Sequence, residues 1–452
     1  MPETSSQEQS PERLQAFFEL IREGDAAQLT EKLDELHPGE IAHLLESLPR
    51  QDREKVWALV DLEQNGDVLL YVNDEIRSQL IKEADNDQLV AAAQSFDTDD
   101  LADIIIDLPQ DVTQQVLQSL SEQHRLRLEG VLSYPEDSAG RLMNTDTINV
   151  REDLTLDVVL RYFRFLGKVP EMTDNLIVTD RDGKYLGTML LTDLLTKNAS
   201  LTVAEIMSRD TDAIPATMSA REVAKLFEQR DLVSAPVVDE NNKLLGRITI
   251  DDVVDIIRDE ADHSLMSMAG LSEEDDMFAP VVRSSRRRTL WLGINLLTAL
   301  LASWVIGQFE ATIEKLVALA VLMPIVASMG GIAGSQTLTL VIRGIAIGQV
   351  ASSNARRLLY KEFAVGILNG MVWALVVALI ALFWFDDAQL SIIIGIAILL
   401  NLIVAALAGA TIPMVMSKVG IDPALAGGVV LTTVTDVVGF LAFLGLAAMF
   451  LV

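Results

Sequence analysis

Residues 421–452 read IDPALAGGVVLTTVTDVVGFLAFLGLAAMFLV, and from Ala424 to Leu451 a single charged side chain, Asp436, interrupts an apolar run. A bilayer core needs about 20 predominantly apolar residues in a helix, so this stretch is a transmembrane span. Four stretches upstream meet the same requirement, and spans are expected at roughly 289–309, 316–342, 363–385, 390–416 and 424–451. Charge divides the chain where the spans begin. From Arg283 onward there are 10 Lys+Arg and 7 Asp+Glu, net +3, whereas the preceding residues hold 25 and 58, net -33, within a total of -30 over 452 residues. An acidic soluble part is followed by a membrane part.

Five spans put the two ends on opposite sides. With the first end in the cytosol, Arg283, Arg286, Arg287, Arg288, Arg343, Arg356, Arg357, Lys361 and Lys418 flank the spans on that side. Lys315 alone lies opposite, which is the positive-inside pattern. The opening MPETSSQEQSPERL has no basic segment followed by an apolar one, so no cleavable signal is expected. The expectation is a multi-pass protein of the plasma (inner) membrane, N terminus cytosolic and C terminus outside, with membrane lipid as a partner.

Composition narrows the chemistry. The acidic balance would repel phosphates, so nucleic acid is excluded as a partner and cations are favoured. No cysteine is present, and His37, His43, His124 and His263 are the only histidines. Thiolate chemistry and most transition-metal sites lack ligands, while carboxylate oxygen, which suits Mg²⁺ and Ca²⁺, is in excess. There is no GxxxxGK[ST] loop, no DKTG-type pump motif and no EF-hand loop, so no enzyme reading is supported.

The soluble part carries two internal repeats. LHPGEIAHLLESLP at Leu36 recurs as FDTDDLADIIIDLP at Phe96, each a capped amphipathic helix ending before Leu-Pro. MNTDTINV at Met143 recurs as MSRDTDAI at Met207; each copy continues into a helix pattern, a strand, a turn, a strand and an acidic helix. Asp182-Gly183 and Asn241-Asn242 supply the hairpin turns. The domains expected are a disordered 1–11, a helical domain over 12–130, an α/β pair over 131–259, a connecting helix over 260–285 and an all-α membrane domain over 286–452.

The paired units resemble tandem cystathionine-beta-synthase (CBS) domains. With the helical stack before them and five spans after them, nearly the whole chain resembles the MgtE family of magnesium channels, through FDTDDLADII, GRITIDDVVDII, SSRRR, PIVASMGGIAGSQ and IDPALAGGVVLTTVTDVVG. The resemblance implies a multidomain membrane protein: an all-α cytosolic superhelical domain, an α/β tandem CBS domain and an all-α five-span domain. It also implies a homodimer with one pore at its axis, closed when cytosolic domains bind Mg²⁺, with 260–285 as the plug helix. The sequence departs from the family pattern at Ile332, where an asparagine usually stands, and at Gly428, Val429 and Val430. A coupled divalent cation transporter or exporter with altered selectivity is the alternative.

Asp436 lies near mid-bilayer, where an unpaired carboxylate costs about 2.5–3.5 kcal/mol on insertion scales, so it should face water or a cation. The opposing reading is a protonated acid hydrogen-bonded between helices. Thr432 and Thr433 add hydroxyls nearby. Gly330, Gly331 and Gly334 in MGGIAGS suit either close helix packing or a pore-lining break; the resemblance selects the pore, with Gly331 and Ile332 on the ion path. In the cytosolic part, Asp99, Asp100 and Asp103 share one side of a helix start, and Asp252, Asp255 and Asp259 repeat that spacing beside Glu260 and Asp262. Capping accounts equally well for Asp99 and Asp100; the second group should repel itself unless a cation intervenes. Gly246, Thr249 and Asp252 match the CBS ribose-contacting pattern G-x-x-T-x-x-D, so an adenosine nucleotide is a candidate ligand beside Mg²⁺. In the first unit Leu190 replaces the threonine.

Overall fold

The computed structural model describes residues 6–93, 96–167, 169–170, 172–272, 276–351 and 353–451. The chain forms two compact units, Met1–Ala261 with Glu274–Ala279, and Asp262–Glu273 with Pro280–Val452.

Among the described residues the first unit opens with ten helices: α1 Ser6–Glu23, α2 Ala26–Asp34, α3 Pro38–Glu46, α4 Arg50–Trp57, α5 Leu62–Tyr71, α6 Asp74–Glu83, α7 Asn86–Ala93, α8 Thr98–Ile105, α9 Gln110–Ser119 and α10 Glu122–Leu132. Side-chain caps set several of their starts. Asp25 accepts from the Gln28 N–H at 3.1 Å and Asn73 from that of Ile76 at 3.0 Å, and His37 with Glu40 closes a capping box. Pro49 and Pro109, which have no N–H to give, stand immediately before α4 and α9. The sequence repeat becomes α3 and α8, which bury Ile41, Ala42, Leu44 and Leu45 in one and Leu101, Ala102, Ile104 and Ile105 in the other. Helix α1 begins inside the segment expected to be disordered; residues 1–5 lie outside the described residues.

A short α11 (Ala139–Leu142) leads into two similar α/β units. The first comprises β1 (Asn149–Arg151), α12 (Leu156–Leu166), β2 (Asn175–Thr179), β3 (Tyr185–Leu190) and α13 (Leu191–Thr196), followed by α14 (Val203–Ile206). The second comprises β4 (Ile214–Pro215), α15 (Ala220–Arg230), β5 (Ser234–Val238), β6 (Leu244–Thr249) and α16 (Ile250–Met268). In each sheet the first strand pairs parallel with the second and the second antiparallel with the third. The turns hold Gly183 at φ +81° and Asn242 at φ +61°, left-handed conformations that glycine and asparagine tolerate. The two hairpins also bond each other, Tyr185 N–H to Asn242 O at 2.9 Å and Leu244 N–H to Gly183 O at 3.0 Å. The apolar core of the helical stack is continuous with that of the second α/β unit, through Ile214, Val223, Phe227, Val237 and Ile248; the first unit has a core of its own around Val159, Leu176 and Val178.

The second unit holds α17 (Val281–Gly307), a short α18 (Glu310–Lys315), α19 (Ala318–Ala346), α20 (Ala355–Phe385), α21 (Ala388–Val419) and α22 (Pro423–Phe450). The five long helices are long and apolar enough to cross a membrane. Helix α21 is the most enclosed and packs on α19, α20 and α22. The connecting helix expected over 260–285 is not one element. Helix α16 runs unbroken from the second α/β unit to Met268, and α17 begins at Val281, so Arg283 and Arg286–Arg288 belong to the first long membrane helix; Glu273–Asp275 lie outside the described residues.

Between these helices, Asp276 returns to the helical stack and meets Arg53, at 3.0 Å from Nη1; the two side chains are 5% and 0% exposed. Arg53 also donates to Leu45 O, Leu48 O and Gln79 Oε1. Breaking a buried pair leaves one charge uncompensated and costs about 3–5 kcal/mol. Asp276→Ala should therefore destabilise α3 and α4 by about that amount, read as faster amide exchange over residues 38–57; unchanged exchange would show that the pair contributes nothing.

Candidate functional site

Helices α19 and α22 run antiparallel, because Val326 lies against Gly439, Gly334 against Leu431 and Leu338 against Gly427. This register puts Asp436 level with Met329–Gly330 and Thr432–Thr433 level with Ile332. Helix α22 buries Gly427, Leu431, Thr435 and Gly439, spaced to form one stripe. Thr432 and Asp436, one turn apart, flank that stripe; Thr432 is exposed and Asp436 half-buried. The hydroxyls of Thr432 and Thr433 donate to Gly428 O at 2.6 Å and Val429 O at 2.7 Å, leaving their oxygens free to accept from water.

The three glycines of α19 divide their work. Gly330 and Gly334 are buried against Asn401 and Leu431, so a side chain at either would collide, whereas a Cβ at Gly331 would meet open space. Packing explains the first two, and α19 is continuous through all three, so the expected helix break is absent. Beside Gly331, Ile332 is 57% exposed, and Ser328 and Ser335 are exposed on the same side. These serines were not singled out from the sequence, although their spacing from Ile332 is helical. Two further polar groups within the long helices were also missed. Glu362 is buried on α20, accepting from Thr337 Oγ1 at 3.2 Å and lying 3.1 Å from Lys361 Nζ; it falls one residue outside the span expected at 363–385. Asn401 is fully buried on α21.

In the first unit α8 meets the start of α16. Asn144 Nδ2 donates to Asp97 at 2.8 Å and the Thr98 and Thr145 hydroxyls bond at 2.9 Å, fixing α8 beside the segment entering the α/β pair. Asp99 Oδ1 is buried and has no hydrogen-bond partner among the described residues. Burial, then the charges of Asp252, Asp100 and Asp97, raises the Asp99 carboxyl well above the ordinary range. Burial and neighbouring acids raise Asp100 to about 7, and Asp252 likewise to about 7 although Thr249 Oγ1 donates to it at 3.2 Å. Asp255 is raised by burial, with Arg258 opposing. Asp99, Asp100 and Asp252 form one acidic cluster in the sense that their charges act on one another, although no group of three acids placed to hold a metal ion is found among the described residues.

The other expected ligands fall elsewhere. Asp103 is exposed and lies 3.9 Å from Arg141. Glu260 is held by Arg221, with Nη2 at 2.8 Å and Nε at 3.1 Å, so this acid of α16 has a cationic partner. Asp259 and Asp262 are exposed on the same helix. Of the nucleotide pattern, Thr249 is buried, and a side chain at Gly246 would strike Asn144 O and Met143, so this glycine serves a close backbone approach.

Family models match at three places: the MgtE divalent cation transporter at residues 323–446, the MgtE intracellular N domain at 36–137 and the CBS domain at 203–259. The chain is 30% identical to magnesium transporter MgtE of Thermus thermophilus, over 96% of this chain and 97% of that protein. It is 27% identical to that of Bacillus subtilis, over 96% of each. Among solved structures, the cytosolic domain of the Mg²⁺ channel MgtE in complex with ATP aligns at 30% identity and a TM-score of 0.49, over 54% of this chain and 99% of that one.

Proton binding to the acidic cluster has a definite sign. Asp100 and Asp252 titrate near 7 in the folded unit and near the ordinary 3.8 when unfolded, so the folded state binds more protons between these values. In chelator, the melting temperature of the soluble unit should fall as pH rises from about 4 to about 7 and level off above; added Mg²⁺ should flatten the fall. A melting temperature that rises over that interval would contradict the cluster as described.

Proposed function

The chain belongs to the MgtE family of magnesium transporters, and on that premise we propose that it is a Mg²⁺-gated channel whose pore forms between the α19 and α22 helices of two copies. It is a multi-pass membrane protein that transports Mg²⁺, not an enzyme. One observation carries the rest of the reading: within a single chain, α22 buries one stripe and leaves Thr432 and Asp436 beside it, while α19 leaves Ser328, Gly331, Ile332 and Ser335 uncovered. Hydroxyls and a carboxylate at membrane depth are costly against lipid, and a second copy related by a two-fold axis would enclose them around water. Two Asp436 carboxylates then face one ion. Mg²⁺ surrenders its water reluctantly, so the pair acts on the hydrated ion through charge and hydrogen bonds. Ile332 adds an apolar wall where the family usually has an amide, and tunes selectivity. The positive-inside count puts the N terminus in the cytosol and, with five spans, the C terminus outside.

Gating follows from the acidic cluster. A cation that binds only when α8 and α16 are together stabilises that arrangement, because differential affinity alone shifts an equilibrium. Helix α16 carries Asp252 and Asp255 at its start and continues in the chain toward α17, which gives the closed state a direct covalent route to the pore unit. An adenosine nucleotide is a secondary ligand in this reading, resting on the order Gly246, Thr249, Asp252.

Asp436→Asn should assemble normally and lose about tenfold or more of Mg²⁺ flux in proteoliposomes, since it removes the charge that concentrates the ion. Flux equal to wild type in a correctly assembled variant would refute the pore.

Asp99→Asn combined with Asp252→Asn should keep the channel open at Mg²⁺ concentrations that close the wild type. Sodium chloride at equal ionic strength should not close the wild type; if it does, general screening replaces a bound cation as the cause.

A further inference from the structure

Asn401 is fully buried in α21, the helix at the centre of the membrane unit. Its Nδ2 donates to the main-chain oxygen of Val326 on α19 at 2.9 Å, and its Oδ1 has no hydrogen-bond partner among the described residues. Glycines from two other helices press on this carboxamide. A Cβ at Gly439 of α22 would lie 2.7 Å from Nδ2, and one at Gly330 of α19 would collide with the same atom. Gly330 stands at the level of Asp436 in the α19–α22 register and Gly439 within one turn of it.

A packing role alone does not account for an amide here. Leucine or alanine would fill the space without removing a polar group from water, and of the two donors and two acceptor sites of Asn401 one donor alone is used among the described residues. The amide supplies two things that an apolar residue lacks. It has a flat face on each side thin enough to lie between two glycines, and it has a donor aimed at one carbonyl. The first, together with the direct contact of Val326 on Gly439, sets how far apart α19 and α22 stand. The second fixes α19 along its axis, because sliding would break the bond to Val326. We propose that Asn401 is a positioning residue for ion selectivity, holding α19 and α22 at the separation and register that set the width of the ion path beside Asp436. This rests on the pore reading above, since width at this level matters only if ions pass there. Discrimination between divalent ions depends on how much hydration water a constriction lets the ion keep, and Mg²⁺ and Ca²⁺ differ most in that respect.

The experiment measures the Mg²⁺ to Ca²⁺ flux ratio of the full chain in proteoliposomes. Asn401→Ala removes the spacer and should shift the ratio by about three- to tenfold, the range that one interhelical hydrogen bond supports. Gly330→Ala pushes α19 away from Asn401 on α21 and should shift it in the opposite sense. The double variant, in which the new methyl group occupies the vacated space, should return toward wild type. If Asn401→Ala does not assemble, Gly330→Ala and the double variant still decide the matter. An unchanged ratio in the assembled single variants, or shifts that merely add in the double, overturns the proposal. Asp436→Asn measured alongside separates the two readings: wild-type flux in it refutes the pore, whereas lost flux in it with an unchanged Asn401→Ala ratio refutes only the role given to Asn401.

Discussion

A carboxylate withdrawn from water must be met by a donor, a basic side chain, a proton or a metal ion, and the placement of acids in this chain follows from which of these is at hand. Arg53 meets Asp276 in the interior of the helical stack, Arg221 meets Glu260, and Lys361 with Thr337 meets Glu362 on α20. Among the described residues, no lysine or arginine forms an ion pair with Asp99, Asp100, Asp252 or Asp436. Beyond neutral donors such as the Thr249 hydroxyl at Asp252, a proton or a cation is what remains for them. The first three acids crowd where α8 meets α16, and the fourth lies beside the buried stripe of α22.

Much of this was legible in the sequence because the deciding features are local. Gly183 and Asn242 mark their turns by residue type, and the Leu36 and Phe96 repeats declare their buried positions through spacing within one helix. Asp436 stands out because an acid in an apolar span is rare, whatever surrounds it. The features that escaped depend on partners distant in the chain. Arg53 looks like any surface arginine of a polar helix until Asp276, more than two hundred residues later, is placed against it. Glu260 reads as one more repelling acid until Arg221 of α15 reaches it. Asn401 is one polar residue in an apolar span, and its setting depends on glycines contributed by α19 and α22. The glycines themselves were legible as small residues, but which of them faces a neighbour is decided by the crossing of helices.

Exposure also sorted two readings that spacing had left open. In MGGIAGS, packing claims Gly330 and Gly334, and Gly331 is left facing outward beside Ile332. The sequence supports both uses because helical neighbours one residue apart point in different directions.

The shared core of the helical stack and the second α/β unit bears on how the chain is made. Apolar surface of the stack is covered by residues such as Phe227 and Ile248, which lie about a hundred positions after α10 ends. At about 5–20 residues per second of synthesis, that surface waits on the order of ten seconds for its cover, while the first α/β unit, with its own core, is completed in between. The nascent stack is therefore exposed to the cell's folding machinery longer than the domain that follows it. All of its cover, and Asp276 as the last polar piece, nevertheless precedes Val281. The soluble part has every residue it needs to close before the ribosome reaches the first long apolar helix and hands the chain to the membrane.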